Sequence, residues 1–322
     1  MSILLDGIGS NHLPKKFIGK FTKAGIEVRF FSKINIGLSF RMGRRFHVKL
    51  LVADHARALI GGLNVANRYR GTEQEAAWLD FAVYLEGVVC TRLHNFAVKI
   101  LNRKVFEKLG RKDLSRGGEP KDSVKVRIIE NDFFNNKLQI RRSYNQAIRK
   151  AESSIIIFAS YFLPSLKLLR LLQKKVLRGV EVKIVLPKKS DVVLYSRAVK
   201  YFYSRLLGMG IKIYEFPATV MHAKVAVIDN RWCTIGSYNL NDLSDLLSIE
   251  LNVEVADVSI AGPFQQELLS IIERECIEIY PAAYTEGSWL RRWIWRIHYY
   301  AMLAMFNLIY WLTDKSKNYQ IE

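Results

Sequence analysis

The strongest constraint on what this chain can fold into is one motif written twice. His47-Val48-Lys49 is followed after four residues by Asp54 and after six more by Gly61-Gly62-Leu63-Asn64. His222-Ala223-Lys224 is followed at the same intervals by Asp229 and by Gly236-Ser237-Tyr238-Asn239. The two histidines stand 175 residues apart (222 − 47). One loose match of this kind arises readily by chance. Two in register, each leading on to an acidic strand, point to a site assembled from two half-sites.

The residues around each copy alternate as in a strand, and period two puts His and Lys on one face, about 7 Å apart along the chain. Leu50-Leu51-Val52 and Val225-Ala226-Val227-Ile228 are apolar on both faces, as in a buried sheet. Asp54 and Asp229 end these strands beside turn-forming residues, which suits a structural role better than contact with substrate. The small pairs Gly61-Gly62 and Gly236-Ser237 let backbone approach a ligand closely. An imidazole, an ammonium and an amide on one platform suit a phosphoryl group. Lys49 and Lys224 offer charge, while Asn64, Asn239 and Ser237 offer directional donors to phosphate oxygens. His47 and His222 can attack phosphorus or carry a proton near neutral pH. His12, His55, His94 and His298 lack this context and read as surface or satisfied histidines.

The duplication extends beyond the motifs. Lys16–Phe31 matches Tyr201–Phe216, each reading as a helix ended by glycine (Gly25, Gly210) and followed by a strand. The first copy carries ten extra residues before its histidine, within a basic loop from Ser32 to Arg45 expected at the mouth of the site. Upstream, the second half reads as strand Val124–Ile129, helix Leu138–Ala151, strand Ser154–Ser160 and helix Leu166–Leu177, with no equivalent in the first half. The expectation is therefore a first half lacking its first strands, with an apolar sheet edge or helix-packing surface uncovered near Ile3 to Leu5. Helices are expected over Gly87–Leu109 and Gly262–Tyr280. The stretch from Gly110 to Ser123 is the natural linker.

Of the 322 residues half are hydrophobic, and the net charge is +19. That charge implies a polyanionic partner, either an anionic membrane surface or nucleic acid. Three scattered cysteines (Cys90, Cys233, Cys276) show neither a disulfide framework nor metal-ligand spacing, and fit a reducing compartment. The strand-like Ile3-Leu4-Leu5-Asp6 predicts that no signal peptide opens the chain. The tail from Trp289 mixes Trp and Arg and leads into a largely apolar Ile297–Leu312. Sixteen residues give about 24 Å of helix, short of a hydrocarbon core of roughly 30 Å. Interfacial anchoring is preferred over a helix packed on the domain and over a true span.

The two H-x-K-x4-D-x6-G-[GS]-x-N copies resemble the paired HKD motifs of the phospholipase D superfamily. Leu4-Leu5-Asp6-Gly7-Ile8-Gly9-Ser10, Arg68-Tyr69 after Asn64, Trp78-Leu79-Asp80, and Tyr161-Phe162-Leu163-Pro164-Ser165 resemble words of its bacterial cardiolipin synthases. The similarity covers most of residues 3 to about 285. It implies an α/β fold, a pseudo-twofold duplicate of two mixed β-sheets flanked by helices, with the first half truncated at its N-terminus. The expected division is a first half over 1–115, a linker over 116–123, a second half over 124–285 and a membrane-associated tail over 286–322.

The resemblance further implies a phosphatidyltransferase working through a phosphohistidine. His47 would be the nucleophile and His222 the acid and base. Lys49 and Lys224, with the motif aspartates Asp54 and Asp229, complete the catalytic set. Asp80 and Glu250 begin matching strands, and acidic residues at this place in the family orient the imidazoles. No metal or cofactor is implied. The expected partners are a phospholipid, phosphatidylglycerol foremost, and the anionic cytoplasmic face of a bacterial cell membrane; the sequence leaves the oligomeric state open. A phospholipase D hydrolase is the alternative. A nuclease or inactive nucleic-acid binder is the alternative of another class, disfavoured by the Trp-rich tail.

Overall fold

The computed structural model describes residues 1–32, 45–102, 123–132, 138–280 and 289–314. The basic loop between Ser32 and Arg45 and the linker before Ser123 lie outside these residues. The first half runs β1 (Ser2–Asp6), α1 (Lys15–Lys23), β2 (Glu27–Phe31), β3 (Arg45–Phe46), β4 (Leu50–Ala53), β5 (Arg57–Gly61), α2 (Asn67–Arg70), β6 (Ala82–Glu86) and α3 (Val88–Leu101). The second half opens with β7 (Val126–Asn131), α4 (Gln139–Lys150), β8 (Ser154–Ala159), α5 (Leu166–Val176), β9 (Glu181–Lys189), α6 (Val193–Lys200), α7 (Tyr203–Gly208) and β10 (Lys212–Val220). It continues with β11 (Lys224–Ile228), β12 (Trp232–Gly236), α8 (Asp242–Leu246), β13 (Ser248–Val255), α9 (Val258–Glu275) and β14 (Ile277–Ile279), and α10 (Trp289–Asp314) follows.

The strands of the second half form one mixed sheet in the order β14-β10-β9-β8-β11-β12-β13, with β7 on the far side of β13. Burial on both faces explains its composition. Every residue of β13 is buried: Ile249, Leu251, Val253 and Val255 join an apolar core shared with the first half, while Glu250, Asn252 and Glu254 alternate toward the other face. That core brings Phe31, Ile60, Leu93 and Phe96 of the first half against Phe158, Val225 and Leu251 of the second. A second cluster lies under α4 to α7, with Ile140, Tyr144, Leu169, Leu172 and Tyr203 among its buried members. The result is a mixed α/β fold of several sheets flanked by helices.

Of the first-half strands, β3 pairs parallel with β13 of the large sheet, and the others form a parallel pair, β1-β2, and a separate antiparallel β4-β5-β6. The helix–glycine–strand units are as expected, with Gly25 at φ 72° and Gly210 at φ 79° in the left-handed region that favours glycine. The halves differ on one sheet face. Leu51, Leu59 and Tyr84, cross-strand neighbours in register, are 58%, 45% and 57% exposed. Their counterparts Ala226, Thr234 and Glu254 are 0%, 0% and 4% exposed. Tyr144 and Ile148 of α4 lie in the same core as Ala226, so this helix side covers one face and the matching face of the first half faces solvent.

Three expectations are corrected. His47 and His222 stand just before β4 and β11 rather than inside them, because their backbone N–H groups pair with the opposite half. The helix expected from Gly262 starts at Val258, where Asp257 caps it by accepting from Ser259 N–H at 2.8 Å, and the stretch toward Tyr280 becomes β14 on β10. The tail helix has 26 residues, about 39 Å at 1.5 Å each, not sixteen. One side of α10 docks on α6 and the turn after it: Tyr299 stacks on Tyr201 at 4.9 Å, meets Phe202 edge-on at 5.0 Å, and Met302 is buried. Trp293, Ile297, Tyr300, Leu308 and Trp311 remain exposed. Among the described residues no helix is long and apolar enough to cross a membrane.

Candidate active site

Two backbone crossings build the cleft. His47 N–H donates to Ile249 C=O at 3.0 Å, beside Glu250, and His222 N–H donates to Leu79 C=O at 2.7 Å, beside Asp80. Arg45 N–H to Leu247 C=O and Leu79 N–H to Val220 C=O complete each stitch. Each histidine is thereby pinned to the segment that presents the other half's carboxylate.

The side chains follow. His47 Nδ1 lies 2.9 Å from Glu250 Oε2, and His222 Nδ1 lies 2.7 Å from Asp80 Oδ2. Against an ionised carboxylate Nδ1 carries the hydrogen, which leaves the lone pair on Nε2. Neither Nε2 has a protein partner among the described residues. Tyr69 Oη and Lys224 Nζ also stand 2.9 Å from His222 Nδ1. A single N–H has one direction, and the nearer, charged Asp80 is its acceptor.

The carboxylates are held differently. Ser237 Oγ, fully buried, donates to Glu250 Oε2 at 2.5 Å and accepts from Leu251 N–H, so its hydroxyl is turned to the carboxylate. Gly62 occupies the matching position beside the shorter Asp80, where an added Cβ would lie 2.3 Å from Asp80 Oδ1. Gly61 and Gly236 allow close strand approach: a Cβ would lie 2.2 Å from Phe81 O or from Asn252 Oδ1.

The lysines are drawn back toward their own histidines. Lys49 Nζ donates to His47 C=O at 2.6 Å, and Lys224 Nζ donates to His222 C=O. Burial lowers Lys49 to about 7 and Lys224 to about 8, against the opposing pull of Glu250 and Asp80. Burial raises Asp80 to about 6, with Lys224 opposing. Burial, only partly offset by Glu250, holds His47 below the usual histidine range. Burial and then the charges of Lys224 and Lys49 push His222 well below it. Near pH 7 the cleft therefore holds two neutral imidazoles, a largely ionised Asp80 and a Lys49 close to half protonation.

Asn64 Nδ2 donates to Tyr69 Oη at 2.9 Å, and Asn239 Oδ1 accepts from Ser160 Oγ at 3.1 Å. The motif aspartates lie outside this group. Asp229 accepts from the N–H groups of Glu152, Ser153 and Ser154 at 2.7 to 2.8 Å and from Ser153 Oγ, which ties the β11 turn to the start of β8. Asp54 has an 83% exposed side chain whose ion-pair partner among the described residues is Arg57, at 3.8 Å.

Sequence reading used Tyr69, Trp78 and Tyr161 only as words of a resemblance. The structure gathers all three around His222, with ring centroids 5.7, 6.1 and 5.9 Å away. The available signal was asymmetry within the repeat. Counted from the paired asparagines and the paired acids, the positions matching Tyr69 and Trp78 are Ser244 and Ser248.

Residues 144–272 match the family described as cardiolipin synthase, PLD-like domain. Cardiolipin synthase B of Salmonella typhi is 28% identical over 291 residues, covering 89% of this chain and 70% of that protein. Cardiolipin synthase 1 of Bacillus cereus is 30% identical over 265 residues, covering 79% of this chain and 51% of that protein. The crystal structure of phosphatidylserine synthase from Haemophilus influenzae shares the fold, with a TM-score of 0.68 and 14% identity over 96% of this chain and 80% of that one. The chain is similar to bacterial cardiolipin synthases and carries a match to their PLD-like domain over residues 144–272.

Proposed function

We propose that this protein is a phosphatidyltransferase that makes cardiolipin from phospholipid through a phosphohistidine. The observation that carries the reading is the crossed pair: two neutral imidazoles, each with Nδ1 fixed by the opposite half's carboxylate and Nε2 left for substrate. His47 Nε2 forms a P–N bond as the P–O bond to the leaving alcohol breaks. His222 Nε2 gives that alcohol its proton. The acceptor hydroxyl then attacks phosphorus, His222 takes the hydroxyl proton, and the P–N bond breaks. His222 is held neutral by burial and then by the charges of Lys224 and Lys49, and the anionic phosphodiester offsets those charges so that it takes up the proton it must deliver. Lys49, Lys224, Asn64 and Asn239 meet the charge on the five-coordinate transition state. Asp80 and Glu250 position the imidazoles, and Asp229 and Asp54 belong to the turns.

Phosphatidylglycerol is the proposed substrate, as donor and acceptor, and the proposed place of work is the cytoplasmic surface of a bacterial membrane. The exposed stripe of α10, with Trp293, Ile297, Leu308 and Trp311 on a chain of net charge +19, supports attachment in the headgroup region. The test is incubation with phosphatidylglycerol vesicles, read by lipid mass spectrometry. Cardiolipin and free glycerol in equal amounts support the reading. Phosphatidate without cardiolipin would assign the protein to hydrolysis instead.

A further inference from the structure

The two sides of the cleft are unequal, and the inequality is concentrated at His222. Tyr69 and Tyr161 meet its ring edge-on and Trp78 closes a third side. The guanidinium carbon of exposed Arg68 lies over the Trp78 ring of this wall, 4.7 Å from its centroid, with no ion pair among the described residues. Its positive field reaches His222, Tyr69 and Tyr161. Asp191 flanks the same wall, accepting from Tyr161 Oη at 2.5 Å. Among the described residues the repeat offers nothing similar beside His47, since Arg68 matches Leu243, and Tyr69 and Trp78 match the buried Ser244 and Ser248.

The phosphorus undergoing transfer is already provided for by two lysines and two asparagines arranged in pairs. Arg68 is therefore a cation without a task in that step, on the side where an alcohol must leave and another must enter. A guanidinium stacked on an aromatic face keeps its fork of donors in a fixed plane, which suits a phosphate diester. A carboxylate held on the same wall, as Asp191 is by Tyr161, suits a hydroxyl. We propose that Arg68, braced on Trp78, with Asp191 bonded to Tyr161 of the same wall, forms an acceptor subsite that takes a second, phosphate-bearing polyol, with the acceptor's own phosphodiester on Arg68. The proposal rests on the phosphatidyltransferase reading and adds to it which side of the cleft selects an anionic acceptor.

The test uses soluble acceptors, so that surface charge does not enter. The full chain and its Arg68→Gln and Arg68→Lys variants are given a short-chain phosphatidyl donor with either glycerophosphoglycerol or uncharged glycerol. The ratio of kcat/KM for glycerophosphoglycerol over that for glycerol should fall about tenfold or more in Arg68→Gln, the usual worth of a hydrogen bond to a charged group. Most of the fall should lie in KM, and Arg68→Lys should recover part of it. An unchanged ratio, or an equal loss on both acceptors, would overturn the subsite. Calorimetric binding of glycerophosphoglycerol alone, without donor, separates the two readings. Binding that weakens in Arg68→Gln upholds the subsite even where no transfer is seen, in which case the phosphatidyltransferase reading fails by itself. Binding indifferent to Arg68 removes the subsite.

Discussion

Asp80 of the first half accepts from Nδ1 of His222 in the second half at 2.7 Å, across 142 residues of sequence. The bond fixes the tautomer of an imidazole that burial already keeps neutral, so its loss should act on chemistry more than on binding. Asp80→Asn keeps the shape but presents an amide, which no longer favours hydrogen on Nδ1. We expect kcat to fall by about three to four orders of magnitude, as in other base–orienter pairs. KM should change little and the melting temperature should stay near wild type. Steady-state kinetics and thermal unfolding check this.

The charge states predict an asymmetric pH profile. On the acid side, kcat/KM should rise with pH as Asp80 ionises, near its value of about 6. On the alkaline side it should fall as Lys49 loses its proton at about 7 and Lys224 at about 8. These groups titrate as a coupled set, so the profile reports apparent values for the free cleft. Bound phosphodiester anion favours charged lysine, and the alkaline limb of kcat should therefore lie at higher pH than that of kcat/KM.

The motif aspartates should separate by stability rather than activity. Asp229 accepts from three backbone N–H groups and a hydroxyl. Removing it in Asp229→Ala leaves donors of the β8 turn unmet and should cost about 2 to 3 kcal/mol. Asp54→Ala should cost less than about 0.5 kcal/mol, because the side chain is 83% exposed. Denaturant unfolding of the two variants is the comparison.

The helix α10 should carry two separable functions on its two sides. Replacing exposed Ile297 and Leu308 with Ser should weaken binding to anionic vesicles with little change in stability. Tyr299→Ala should act in the opposite manner, loosening the packing on Tyr201 and Phe202 and lowering the melting temperature. Deletion after Glu286 should release much of the protein from vesicles, and flotation of all three variants measures the division. Unchanged flotation of the double Ser variant would move the attachment to the basic surface of the domain.

The repeat made both half-sites legible, because the spacing from His to Asn is a local property that strand, turn and strand impose. Which carboxylate serves which imidazole was not legible. His47 and Glu250 are 203 residues apart, and the crossing arises from backbone pairing between halves. The Asp229 clasp was hidden for the same reason, since its donors lie more than seventy residues upstream. The α9 boundary was misplaced because Gly262-Pro263 reads as a breaker, while the Asp257 cap is a weaker signal. Packing of α10 on the domain ranked below interfacial anchoring because Tyr299 and Met302 at helical spacing read alike whether they face protein or lipid.

The most direct test of the central claim is to trap the phosphoryl enzyme. A phosphodiester with an activated leaving group needs no acid in the first step, so His222→Ala should still form the P–N bond but resolve it slowly. Rapid quenching at alkaline pH followed by peptide mass spectrometry should find the adduct on His47, approaching one per chain, and none in His47→Ala. An adduct on His222 in the His47→Ala chain, or turnover with no histidine adduct at all, would contradict the account.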